Sequence, residues 1–297
     1  MTALTIHLGA HKTATTFIQK TLRWNRASLA ACGVFLFPDP NRQLRFHLSG
    51  ERDVDVAPLL AELTGSPHDR VVFSDEDSLH PARIRHPRDI YGDLDLTMSR
   101  IEDLRAVFDE VRVLFCVRDY AGFIPSVYQQ EVKRGRIGMS FEDYVASHVD
   151  LEEISWQAVI SALSSRFGPG FIAWDYERFR SGPDEIWALF GFTPRMRERM
   201  KIPGERSNTT VSKVGLDIMR AAHGQLSRAQ TKDLEVYVAR NFRRSESLPA
   251  ERTWTEDQSS RLTARYAHDL DTLERICTDH GATFLRIRPS PEDAAPL

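Results

Sequence analysis

The chain has 297 residues, with 39 Lys and Arg against 42 Asp and Glu and a formal net charge of −3. That balance supplies no global field to draw in nucleic acid or an anionic membrane, so any anion site has to be local. With 41% hydrophobic residues the chain has the means to bury the core of a large α/β domain. The first predicted element is a strand over Leu4 to Leu8, leading into the loop "GAHKTATT"; a helical pattern then runs from Phe17 to Cys32, with Ile18, Leu22 and Leu29 among its apolar positions. "GVFLFP" reads as a second strand, bounded by Gly33 and Pro38. A polar stretch to about Val54 and a short helix over Ala57 to Leu63 precede a buried strand, Val71 to Phe73, which runs into the acidic turn "SDED".

From His80 to about Thr97 the pattern is irregular, and a loop of that length inside a domain is a candidate lid. The helix "MSRIEDLRAVFDE" delivers the chain to "VRVLFCVRDY", where five of the six residues from Val111 to Cys116 are apolar, as in a parallel strand covered on both faces. "AGFIPSVYQQEVKRG" follows as a helix, with Pro125 tolerable only near its first turns. Ile154 to Phe167 is a further helix, "FIAWDYERF" a strand and turn, and "PDEIWALFGF" a short helix ended by Gly191. The last third reads as helical, and Leu262, Tyr266, Leu270 and Leu273 mark an apolar stripe in its final helix. No internal repeat or low-complexity tract is present, and the tail after Pro289 has the composition of a disordered end.

Alternating strands and helices predict an α/β fold: one domain with a central, mostly parallel sheet flanked by helices, P-loop-like, with a helical C-terminal part. The expected division is a core over 1–180, a helical portion over 181–288 and a tail over 289–297. Cys32, Cys116 and Cys277 are odd in number and far apart, which favours buried thiols over a disulfide framework. No apolar run approaches the roughly 20 residues of a membrane span, and no charged and apolar leader precedes the first strand, so a cytoplasmic location is the expectation.

Ligands of such sheets bind at the carboxyl ends of the strands, and two motifs fall there. In "GAHKTATT", backbone N–H groups of a strand-to-helix loop point at an anion, the helix N-terminus adds partial positive charge, and Lys12 adds a full one. The alternative is a hydroxyl-rich helix N-cap that only ends a strand. The pattern G-x-x-x-x-G-K-[ST] is not met, because Lys12 comes three residues after Gly9 and Ala14 stands where a second glycine is sought. In "CVRDYAGFIPSVYQQ", Arg118 stands just beyond a strand and Ser126 eight positions later in a helix, a pair able to converge on one phosphate. Taken alone, the motif is better read as an Arg118–Asp119 surface pair and an incidental helix serine. Together the motifs ask for a ligand with two separate phosphate groups.

The two stretches "HLGAHKTATTFIQKTL" and "VRVLFCVRDYAGFIPSVYQQ", in that order and roughly 100 residues apart, resemble the sulfotransferases that use 3′-phosphoadenosine 5′-phosphosulfate (PAPS), in particular bacterial-type members. The resemblance covers residues 1 to 135 and extends through "FIAWDYERF". It implies that Gly9, His11, Lys12, Thr13, Ala14, Thr15 and Thr16 form the 5′-phosphosulfate loop and that Arg118 and Ser126 hold the 3′-phosphate. Ala14 departs from the usual glycine, and a methyl there narrows the loop. "GERSNTTVS", with Arg206 and Asn208, is a candidate for the adenine side, or else a loop capping the helix from Val211.

The resemblance also implies the chemistry: transfer of a sulfuryl group from PAPS to a hydroxyl or amine of a carbohydrate, lipid or small metabolite, with 3′-phosphoadenosine 5′-phosphate (PAP) as product and no metal. Lys12 neutralises the charge that builds on the leaving oxygen. The base is expected after the strand between the two phosphate motifs, where Glu76 lies, with Asp75 beside it to raise its pKa by like-charge repulsion. His47, in "QLRFHLSG", competes with Glu76 because its ordinary pKa suits the task. Asp75–Asp77 also fits the D-x-D pattern of metal-dependent glycosyltransferases, although the Lys12 loop then has no purpose. A small-molecule P-loop kinase and a nucleotide-binding protein without catalysis are the alternatives. The partners expected are the nucleotide donor and an acceptor, with no nucleic acid and no membrane span; acceptor identity and oligomeric state have no readable code.

Overall fold

The computed structural model describes residues 2–37, 43–52, 54–65, 68–79, 90–91, 94–202 and 211–287. In chain order its elements are β1 (Ala3–His7), α1 (Thr15–Trp24), α2 (Arg26–Ala30), β2 (Val34–Leu36), α3 (Gln43–Ser49), α4 (Ala57–Thr64), β3 (Arg70–Ser74), a 3₁₀ turn (Glu76–Leu79), α5 (Asp95–Leu104), β4 (Glu110–Val117) and α6 (Tyr120–Lys133). There follow α7 (Phe141–His148), α8 (Gln157–Phe167), β5 (Phe171–Asp175), α9 (Tyr176–Ser181), α10 (Pro183–Leu189), α11 (Pro194–Glu198), α12 (Lys213–Ala221), α13 (Arg228–Asn241), α14 (Glu256–Asp279) and β6 (Thr283–Leu285). The six strands form one sheet in the order β2-β3-β1-β4-β5-β6, and every pairing is parallel. The architecture is thus the α/β fold the sequence predicts, with the sheet wholly rather than mostly parallel among the described strands.

Each face of the sheet has its own apolar layer. One joins Leu4 and Ile6 of β1, Leu8 just past it, and Val113 and Phe115 of β4 to α6, α8 and α14. The other joins Leu114, Cys116 and Trp174 to Ile18 and Leu22 of α1 and Trp187 of α10. The helix after β1 therefore covers one face and the helix after β4 the opposite face, although β1 and β4 are neighbours. A crevice opens where such a pair of connections diverges, outside the carboxyl ends of the two strands.

Several local expectations change. The helix expected over Phe17 to Cys32 is two helices broken at Asn25, whose side chain donates to the carbonyls of Thr21 (2.8 Å) and Lys201 (2.9 Å) and accepts from Lys201 N–H (2.7 Å). The helix expected from Ile154 begins at Gln157. The polar stretch after β2 contains α3, which buries Leu44 and Leu48 one turn apart, so His47 is helical rather than in a loop. β6 returns the end of the helical C-terminal part to the sheet edge beside β5. Cys116 and Cys277 are buried thiols, but Cys32, just past α2, is exposed.

Within the stretch read as a lid, residues 80–89 and 92–93 lie outside those described, while Ile90 and Tyr91 are buried and α5 already begins at Asp95. The adenine-side candidate around Arg206 and Asn208 and the tail also lie outside the described residues. No helix of the described residues is long and apolar enough to cross a membrane.

Candidate functional site

β1 delivers the chain to the loop by continuing its ladder. Leu8 N–H and Ala10 N–H donate to the carbonyls of Leu114 and Cys116 (both 3.0 Å), and Cys116 N–H donates to Gly9 (2.5 Å). Gly9 has φ +106°, where a side chain is strained, and a Cβ there would stand 3.1 Å from the Cβ of Glu76. Lys12 and Ala14 adopt φ +66° and +64°, the left-handed region. With the chain so turned, the amides of Lys12, Thr13, Ala14, Thr15 and Thr16 find no acceptor among the described residues; the first amide of α1 to be used is that of Phe17, on Ala14 (2.9 Å). Five consecutive unengaged donors around a helix N-terminus form an anion cradle.

The threonine hydroxyls divide the work. Thr13 is buried and donates to the Ala10 carbonyl (2.5 Å), closing the loop on itself. Thr15 donates to Oε1 of Glu76 (2.9 Å), and Gln19, one turn further, donates to Oε2 (2.5 Å). Thr16 alone is exposed. Thr13 and Thr15 thus engage their hydroxyls and not their amides, and Thr15 and Gln19 fix Glu76 beside the loop.

The acidic turn separates into three roles. Asp75 accepts from Asp77 N–H (3.0 Å), and burial, with Glu76 and Asp77 adding like charge, pushes its carboxyl up to about 7. Asp77 accepts from Nε2 of His11 (3.1 Å) and pairs with Arg45 of α3 (3.3 Å); the hydrogen bond from His11 lowers it to about 2. Among the described residues no group of three or more His, Cys, Asp or Glu side chains is arranged to hold a metal ion. From α3 it is Arg45 that reaches this turn; His47 lies about 200° round the helix from it, and its carbonyl accepts from Arg100 of α5.

His11 is buried. Its N–H and its Nδ1 both meet the hydroxyl of Tyr91 (2.8 and 2.9 Å), and its Nε2 meets Asp77. One imidazole thereby ties the loop to Tyr91 and to the acidic turn. Lys12 is part-exposed and forms no ion pair with a described carboxylate. Burial, with repulsion from Lys133, Arg134 and Arg118 against attraction from Glu76, brings its ammonium down to about 7.

The second motif lies across the crevice. Arg118 donates to the Lys12 carbonyl (2.7 Å) and reaches Ser126 Oγ (3.4 Å), while its own carbonyl accepts from the Trp156 indole (2.9 Å). Its guanidinium lies 5.1 Å from the ring centroid of Tyr176 and is packed on Gly122, where a Cβ would come within 3.1 Å of it. Asp119 is occupied in capping α6, accepting from Ala121 N–H (2.6 Å), so the Arg118–Asp119 surface pair does not form. Arg118 and Ser126 stand together, and Arg118 is hydrogen-bonded to the loop that bears Lys12.

Sequence reasoning missed Gln19, Arg45, Tyr91, Lys133 and Arg134. Of these, Gln19 lay within reach of pattern, since it is one turn from Thr15 on the same helix face. The others come from distant segments, and only the fold brings them to the loop.

No family model matches the chain, and no curated protein matches it. Among solved structures it is similar to the crystal structure of a sulfotransferase from Alicyclobacillus acidocaldarius, with 16% sequence identity over 92% of this chain and 95% of that one and a TM-score of 0.48. At that distance the chemistry has to be argued from this chain's own residues.

Proposed function

We propose that this chain is a sulfotransferase, which moves a sulfuryl group from PAPS to a hydroxyl or amine of an acceptor and releases PAP. One observation supports this above the others: a single crevice holds two separate anion devices, the cradle of unengaged amides with Lys12 and the Arg118–Ser126 pair, joined by the bond from Arg118 to Lys12 O. A donor with phosphates on both the 5′ and 3′ positions of one nucleoside uses both.

In this reading the 5′-phosphosulfate lies on the amides of Lys12 to Thr16, and the 3′-phosphate on Arg118 and Ser126. The acceptor oxygen or nitrogen attacks sulfur in line; the new bond to sulfur forms as the bond from sulfur to the bridging phosphate oxygen breaks, and the electron pair stays on that oxygen. Lys12 meets the charge that appears there, and the loop amides hold the equatorial oxygens. The acceptor's proton passes to Glu76, whose carboxylate is aimed by Thr15 and Gln19 at the rim of the cradle.

Binding measurements test the division of labour. Arg118→Ala is expected to weaken PAP by about 2 kcal/mol, the worth of a charged hydrogen-bond partner, and to leave adenosine 5′-monophosphate nearly unaffected. Lys12→Ala is expected to lower both the rate of PAP release from the donor and the affinity for PAP, the rate by the larger factor. Equal losses on both nucleotides, or equal losses of rate and affinity, contradict these assignments.

A further inference from the structure

α6 is a core helix with one open stripe. Between Gly122 and Lys133 its part-exposed positions are Gly122, Ser126, Gln129, Gln130 and Lys133, and the rest are buried. Seven residues are close to two turns, so Lys133 lies on the same face as Ser126, about 10 Å further along the axis. The stripe starts where the Arg118 guanidinium packs on Gly122 and Ser126. It continues through two neutral amide side chains and ends on Lys133 and the exposed Arg134.

These last two cations stand near the loop: their charges bear on Lys12 more strongly than that of Arg118 does, and Arg134 also bears on Asp77. Neither forms an ion pair with a described carboxylate, whereas Arg136, two residues on, is paired with Glu131 at 2.7 Å. The charges of Lys133, Arg134 and Arg118 thus all bear on Lys12, and none of the four cations has an ion-pair partner among the described residues. Basic residues at a helix C-terminus complement the backbone dipole, but that role needs no open polar stripe leading to them.

The donor, under the function proposed above, occupies two of these four cations, Lys12 and Arg118. We infer that Lys133 and Arg134 receive an anionic group of the acceptor, with Gln129 and Gln130 as neutral hydrogen-bonding groups between it and the 3′-phosphate site. The acceptor is therefore a hydroxylated molecule that already bears a carboxylate, sulfate or phosphate, the chemistry of a uronic acid or of a sulfated or phosphorylated sugar. The charge already on the acceptor holds it against Lys133 and Arg134, while the reacting hydroxyl faces Glu76 and Lys12.

Titration calorimetry of inorganic sulfate into the PAP-saturated protein tests this inference. Wild type is expected to bind sulfate, and the double variant Lys133→Gln/Arg134→Gln to bind it at least about tenfold more weakly, with PAP affinity nearly unchanged. A charge-keeping variant, Lys133→Arg/Arg134→Lys, is expected to restore sulfate binding. The inference is overturned if PAP-saturated wild type binds no sulfate, if the Gln variant binds it as tightly, or if PAP affinity falls with the charges, which assigns both cations to the donor. Failure of wild type to bind PAP at all removes the donor reading itself, and the inference with it.

Discussion

Lys12 stands with φ +66°, and burial, with repulsion from Lys133, Arg134 and Arg118, depresses its ammonium to about 7. Its charge therefore depends on the ligand. An anion placed against it restores the ordinary lysine pKa, so binding above pH 7 takes up a proton. Below pH 7 the ammonium is charged with and without ligand, and its contribution to affinity is constant. As pH rises from 7 toward 9 the affinity for PAP is expected to fall by up to about tenfold per unit, and calorimetry at pH 8 in two buffers of different ionisation enthalpy is expected to show proton uptake that Lys12→Ala abolishes. A flat affinity with no uptake contradicts this account of the site. The neighbouring Ala14, at φ +64°, shows why the resemblance leads one to look for glycine there: the backbone takes the left-handed turn in spite of the methyl, at a cost of about 1–2 kcal/mol. At the acidic turn, three adjacent carboxyls acquire different roles from what each one touches, which no reading of "DED" alone separates.

At the scale of elements, α6 is the structural arm of the site, and its geometry is held from outside the helix. Pro125 lacks the N–H that would bond Ala121 O, and the Trp254 indole donates to that carbonyl instead, at 2.9 Å. Its first residue, Tyr120, is tied to α14 through Asp269, a buried carboxylate that accepts from Tyr120 Oη (2.6 Å), Ser155 Oγ (2.8 Å) and Gln157 Nε2 (2.9 Å). Asp269→Ala leaves three donors without their acceptor and is expected to lower unfolding stability by about 3 kcal/mol or more; a urea-denaturation change below about 1 kcal/mol contradicts that role. This carboxylate lies in the stripe that Leu262, Tyr266 and Leu273 made legible, yet its sequence position reads as polar surface. What was legible was contiguous chemistry: a strand, a glycine, a lysine and threonines in one run, and a strand ending in Arg118 with Ser126 eight residues on. What was not legible depends on partners far away in the chain. Asn25 breaks its helix because Lys201 offers a backbone to bond, and Arg45, rather than His47, reaches the acidic turn because α3 presents that face. The three residues of β6 are too few for a period to show.

At the scale of the molecule, the sheet order does the assembling. β3, β1 and β4 are adjacent and parallel, so the acidic turn, the amide cradle and Arg118 all emerge from one edge. Because α1 and α6 leave for opposite faces, the donor proposed above would lie between them, at the carboxyl ends of β1 and β4. The Lys12 loop and Arg118 are joined by the bond from Arg118 to the Lys12 carbonyl, although the sequence places them roughly 100 residues apart. Thermal unfolding with PAP, compared with adenosine 5′-monophosphate and with ATP plus magnesium, tests that unity most directly. A ligand at 100 times its dissociation constant adds about 2.7 kcal/mol, enough to raise the midpoint of a chain of this size by a few degrees. The account predicts that PAP stabilises the protein well beyond both comparators at equal concentration; stabilisation by ATP with magnesium alone, or by none of the three, contradicts it.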